Sequence, residues 1–232
     1  MDVADIVQKI AIAAIPVLFA ITLHEAAHGF VAKRCGDLTA YAQGRVSLNP
    51  LRHIDPMGTV IVPLVLFVLT RLAGSGILFG WAKPVPVNFS ALRHPKRDML
   101  WVAAAGPGAN LAMAVFWAFV LRLGTSGGGY FALPLQLMGA AGIYINVILM
   151  VLNLLPLPPL DGGRILVSLL PHRAAYAVAR LEPYGFFILI LLLFTGALEY
   201  LIRPIYMATL FLMSTVSGVP EGFMLRLIDR VF

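Results

Sequence analysis

Residues 6–32 read IVQKIAIAAIPVLFAITLHEAAHGFVA, and Lys33 and Arg34 follow at once. The run exceeds the ~20 residues a helix needs to cross a hydrocarbon layer about 30 Å thick. It lacks the early positive cluster of a cleaved leader, and its basic stop marks the end of a spanning helix. The rest of the chain agrees: of 232 residues, 60% are hydrophobic and 12% charged, with a mean hydropathy of +0.89, where a soluble domain carries about 25% charged residues. The expected fold is an all-α polytopic integral membrane protein, a single domain over residues 1–232. A formal net charge of +6 would suggest nucleic acid in a soluble protein. Here the basic residues lie between apolar runs and serve as topology signals, so no nucleic-acid partner is expected. The lone Cys35 excludes an internal disulfide and a cysteine-rich zinc framework.

Further spans are expected at about 99–123, 131–155 and 185–202. Between Cys35 and Pro56 the composition turns to Gly, Asn, Thr, Ser and Arg, and the pieces 38–41 and 45–48 around Gly44 read as a small β-hairpin at the membrane surface. The apolar run from Met57 is short for a crossing. With Gly74-Ser75-Gly76 and Lys83-Pro84-Val85-Pro86 behind it, it reads as a re-entrant hairpin over about 57–82. Irregular backbone at membrane depth is tolerated only against protein or a wet cavity, which places this hairpin beside the functional centre. Near the end, residues 221–232 set Arg226, Asp229 and Arg230 on one helical stripe against Leu225, Ile228 and Phe232, the pattern of an interfacial helix. With a re-entrant hairpin, the loops that hold most of the 17 Lys and Arg residues fall on one face, which is assigned to the cytoplasm.

Inside the first span stands His24-Glu25-Ala26-Ala27-His28. On a helix the two histidines lie one turn apart on one face and both reach a single tetrahedral metal ion, with Glu25 beside it and free of ligation. The competing reading, polar residues that serve helix packing, is weak at membrane depth. A charge near the bilayer centre costs a few kcal/mol, and a metal supplies the missing partner. The histidines fall about 7 to 14 Å inside the basic boundary at Lys33. A catalytic zinc site also wants a third protein ligand and one open position. His53, His94 and His172 lie in basic, proline-containing loops and read as solvated, while Asp55 and Asp98 flank basic residues and read as their partners. Asp161 differs: it follows Pro156, Pro158 and Pro159 and precedes Gly162-Gly163. It is either a third ligand, carried inward by the broken segment, or the N-cap of the next helix.

His24-Glu25-x-x-His28 in one span and Asn153-x-x-Pro156-x-x-x-x-Asp161-Gly162 after a later one resemble the site-2 protease family of intramembrane zinc metalloproteases. The resemblance implies one zinc ion held by His24, His28 and Asp161, with Glu25 as catalytic base. It implies that Asn153 holds substrate backbone or stabilises the oxyanion, and that Gly106-Pro107-x-x-Asn110 is the matching inner-helix motif. For Asn110 two roles stay open: holding an unwound substrate, or an interhelical hydrogen bond that only stabilises packing. The implied activity is hydrolysis of peptide bonds within or near the transmembrane segment of membrane-protein substrates in the lipid bilayer. Asn49-Pro50-x-x-His53-x-Asp55-Pro56 and Gly80-Trp81-Ala82-Lys83-Pro84-Val85-Pro86 resemble the small bacterial and archaeal members. A prokaryotic cell membrane, with the active site toward the cytoplasm, is therefore expected. The motif helices leave no room for a PDZ domain between them, the mark of a minimal form. His53 and Asp55 are candidates for orienting the histidines, for lining the cytoplasmic mouth, or for a structural turn. The alternative function is a metal-binding membrane transporter or sensor without proteolysis. Interrupted spans suit it, but a non-ligand glutamate between two ligand histidines has no obvious use there. The sequence carries no reading of oligomeric state.

Overall fold

The computed structural model describes residues 3–53, 55–62, 65 and 83–232. These are all helix, turn or irregular chain, and no strand occurs among them. Helix α1 runs Val3–Arg34. After it come α2 (Thr39–Ala42), α3 (Pro95–Ser126), α4 (Ala132–Asn153), α5 (Asp161–Leu169), α6 (His172–Ala179), α7 (Gly185–Phe194), α8 (Ala197–Ser217) and α9 (Glu221–Val231). The expected re-entrant hairpin at 57–82 lies for the most part outside the described residues. Its entry is a π-helical turn, Pro56–Ile61, begun by Asp55, whose carboxylate accepts the Met57 amide at 3.1 Å.

Four segments among the described residues are long and apolar enough to cross a membrane: Val7–Arg34, Pro95–Ser126, Ala132–Asn153 and His172–Phe194. A fifth arises if α8 and α9, bent by 107°, are one broken span. The expected span at 185–202 is not one helix. Gly196 takes a left-handed φ of +74° between α7 and α8, a conformation that glycine adopts without steric cost.

The packing centres on α3 and α4. A Cβ on Gly142 would lie 2.6 Å from Trp117 Cδ1, so only a glycine lets α4 ride this close to α3. Leu121, Ile143, Val147 and Val151 fill the seam and are almost fully buried. The charged stripe of α9 is present, but its apolar side, Met224, Leu227, Ile228 and Val231, is buried in the same cluster as Leu137 and Ala141 of α4. Amphipathicity here reflects packing on protein as much as any interface. By contrast α7 leaves Phe187, Leu191 and Phe194 exposed, as suits a surface in lipid.

The β-hairpin expected at 38–48 is corrected: Thr39–Ala42 is a turn of helix, closed by Gly44 at φ +63°. The reason is local. Asp37 Oδ1 accepts the Thr39 amide at 2.9 Å and starts a helical turn, an alternative that short polar side chains offer against strand pairing. Asp37 also reaches across the chain, because its Oδ2 accepts the Asn88 amide at 2.7 Å. That bond fastens an extended ribbon, residues 83–88, whose other end donates from the Lys83 amide to the His53 carbonyl at 2.9 Å. Burial pushes the Asp37 carboxyl upward, but the hydrogen bonds from Thr39 and Asn88 outweigh it and hold the group below its usual range.

Asp37→Ala is expected to lower the thermal stability of the detergent-solubilised protein by about 1 to 3 kcal/mol, the cost of orphaned amides. A depressed folded-state pKa gives stability that is complete above the unfolded value of ~3.9 and is lost as pH falls through the folded one. The gap between wild type and variant therefore narrows in acid, and melting curves across that pH range measure it.

Candidate metal centre

His24 and His28 project from α1 toward α3 and the start of α5, and the broken chain after α4 brings Asp161 to meet them. His24 Nε2 and His28 Nε2 are 3.1 Å apart. Asp161 Oδ2 is 3.2 Å from the first and 3.3 Å from the second. Ligand atoms about 2.05 Å from a tetrahedral zinc ion stand about 3.3 Å from one another, so this near-equilateral triangle has the dimensions of three zinc ligands. All three side chains are buried or nearly so.

The hydrogen bonds behind the triangle decide its chemistry. His28 Nδ1 lies 2.7 Å from the Val102 carbonyl, which only accepts, so Nδ1 carries the hydrogen and the neutral ring presents a lone pair at Nε2. His24 Nδ1 lies 2.6 Å from Asn110 Oδ1. The orientation of Asn110 is set by its Nδ2, which donates to the Ala20 carbonyl at 3.2 Å and to Asn146 Oδ1 at 3.0 Å. His24 therefore also donates from Nδ1 and turns a lone pair inward. Asp161 Oδ2 is buried and has no partner other than these two rings. Three acceptor atoms facing one another with no donor between them is the arrangement a cation completes.

Two glycines make the approach possible. A Cβ on Gly106 would stand 2.6 Å from His24 Cε1 and 2.7 Å from His24 Nε2, and would also collide with His28 Nε2. Behind Asp161, a Cβ on Gly162 would strike the Leu154 and Leu155 carbonyls, so the close return of α5 onto the end of α4 requires a glycine there. The helix cap position is Leu160, so Asp161 is not serving as the N-cap.

Glu25, between the histidines, is half-buried and stands outside the group of three. Its Oε2 accepts the Val85 amide at 2.7 Å. Of the two asparagines expected at substrate, Asn110 is fully buried and its amide is spent on His24, Ala20 and Asn146, which favours its interhelical role. Asn153 ends α4 and donates to the Leu149 carbonyl at 2.9 Å. His53 is buried and donates from Nε2 to the Ser47 carbonyl at 2.9 Å, a loop contact, and Asp55 begins the Pro56 turn. Sequence reasoning missed Asn146, which anchors Asn110 and itself donates to the Gly142 carbonyl at 2.8 Å. The available signal was a lone amide within the apolar stretch 137–152, since a polar residue at membrane depth needs a reason.

A Bacillus subtilis protein named "Putative zinc metalloprotease YwhC" is 37% identical over 194 residues, covering 82% of this chain and 83% of its own length. The chain belongs to peptidase family M50, the site-2 protease family. Residues 130–196, which include Asn153 and Asp161, match the M50 peptidase domain directly. Proteins named "Putative zinc metalloprotease Rip2" are more distant. The one from Mycolicibacterium smegmatis is 34% identical over 78% of this chain and 66% of its own length. That from Mycobacterium tuberculosis strain H37Rv is 30% identical over 76% and 62%. No solved structure matches this M50 chain.

Removing the amide behind His24 frees its ring to turn. Asn110→Ala is expected to weaken metal binding about 10- to 100-fold, as loss of the partner behind a ligand histidine does. Gly106→Ala, which strikes both rings, is expected to abolish binding. Competition with a chromogenic chelator in detergent measures both, and full affinity in either variant would separate α3 from the site.

Proposed function

We infer that this M50 chain is a zinc-dependent intramembrane metallopeptidase that hydrolyses peptide bonds within or near the transmembrane segments of membrane proteins. The observation that carries the reading is the meeting of His24 Nε2, His28 Nε2 and Asp161 Oδ2 within 3.3 Å, all as acceptors. The relatives named as zinc metalloproteases support zinc as the ion these residues would hold. When bound, zinc supplies a Lewis acid for the scissile carbonyl and lowers the pKa of water at the site toward ~7.

The protein's own part is proton handling and substrate placement. Glu25, next to the ligands and not one of them, takes a proton from the attacking water. It then delivers that proton to the amine nitrogen as the C–N bond breaks. An intact substrate helix hides its carbonyls in its own hydrogen bonds, so the segment must unwind before attack. Asn153, at the edge of the proline-broken stretch, is the side chain we assign to holding the unwound backbone. Asn110 acts instead through His24, as a positioning residue. From the charge of the loops we assign the centre to the cytoplasmic side of the membrane, and the bacterial relatives support a prokaryotic cell.

Purified wild-type protein with zinc is expected to cleave a single-span model substrate. Glu25→Gln should retain zinc and lose at least about 100-fold in rate, the scale of general acid–base catalysis. Asp161→Ala should lose both zinc and activity. Cleavage retained by Glu25→Gln would sink the base assignment, and unchanged zinc in Asp161→Ala would remove that ligand. For orientation, reporter fusions after Lys83 and after Gly128 should report opposite sides of the membrane, and a same-side result would break the assigned topology.

A further inference from the structure

Residues 83–88 read Lys-Pro-Val-Pro-Val-Asn, and the two prolines have no N–H to give. Val85 holds the one amide donor between Lys83 and Val87, and that donor goes to Glu25 Oε2, 60 residues away in sequence. The ribbon is fixed on both sides of it, by the Lys83 amide on the His53 carbonyl and the Asn88 amide on Asp37. The Val85 side chain is buried, and a Cβ on Gly29 would come within 3.1 Å of its Cγ1, so the ribbon lies hard against α1 one turn beyond Glu25. A glutamate on a helix samples several rotamers. A charge-assisted bond from a fixed backbone amide selects one of them, and it engages one carboxylate oxygen while the other can exchange a proton.

We propose that Val85, through its backbone amide, is a positioning residue for Glu25, and that Pro84-Val85-Pro86 is the element that presents the carboxylate for proton transfer. The catalytic consequence rests on the peptidase reading above, whereas the contact itself does not. The prolines have a part in this: each removes a competing donor and holds the ribbon extended, so the carboxylate meets a single amide. The loop that carries His53 then acts on the centre at second hand, through the Lys83 anchor of the ribbon.

The test uses the full chain in detergent micelles and has two arms. In the first, hydrogen exchange at the Val85 amide is compared between wild type and Glu25→Ala. Exchange at least about 10-fold faster in the variant is expected, because local opening then lacks the carboxylate acceptor. Equal rates overturn the proposal. In the second arm, zinc-loaded variants cleave the single-span model substrate. Val85→Pro, which lacks the donor, is expected to lower kcat about 10- to 100-fold with KM within about threefold, as misplacement of a catalytic group does. Val85→Ala, which keeps the amide, should stay within about threefold of wild type. Equal rates in the two Val85 variants overturn the proposal, whether both are high or both low, because the effect then does not follow the amide. If Val85→Pro does not fold, the exchange arm decides alone. Absence of cleavage by wild type overturns the peptidase reading and is distinguishable, since amide exchange needs no turnover.

Discussion

Three buried lone pairs within 3.3 Å of one another are held in place from behind, and the arrangement of α1, α3 and α5 follows from that constraint. Left alone, two imidazoles and a carboxylate would turn away toward other donors or exchange a proton. They do not turn, because the Val102 carbonyl and the Asn110 amide fix both rings from the far side. Helix α3 must therefore pass within contact distance of α1 over residues 102–110. Gly106 makes that distance possible, and Pro107 interrupts the hydrogen-bond ladder in the same stretch without ending the helix. The chain after α4 answers the same demand by breaking at its prolines, so that a carboxylate from the start of α5 reaches inward.

Much of the centre was legible in the residues. Four-residue spacing puts His24 and His28 on one face of any helix, whatever surrounds it. An aspartate between a run of prolines and a pair of glycines announces a sharp return of the chain. The partners behind the ligands were less legible, because a backbone carbonyl such as that of Val102 has no sequence signature at all. Asn146 had a signature, a polar residue in an apolar span, but its partner 36 residues earlier depends on how closely α3 and α4 pack. The Val85 contact joins segments 60 residues apart through a main-chain atom, and no side-chain pattern encodes it.

The errors in the fold have similar causes. The short pieces 38–41 and 45–48 around Gly44 suit a small hairpin, but Asp37 captures the Thr39 amide and a helical turn wins locally. The run 185–202 is apolar enough for one helix, yet Gly196 allows a left-handed step at almost no cost, and the direction of the chain is then decided by packing. Composition identifies which residues belong at membrane depth. It is less informative about where a backbone breaks, because one glycine changes the path without changing the hydropathy.

The groups that hold the histidines from behind are amides and carbonyls, which neither gain nor lose charge over any pH a cell meets. Many metal sites place a carboxylate there instead. Here Asp161 brings one negative charge and Glu25 another, so a bound divalent cation would leave the whole centre electroneutral. In a medium where an unbalanced charge is expensive, neutrality removes most of the penalty of burying the reactive groups. Asn110 and Asn146 thus let the centre be rigid without making it anionic.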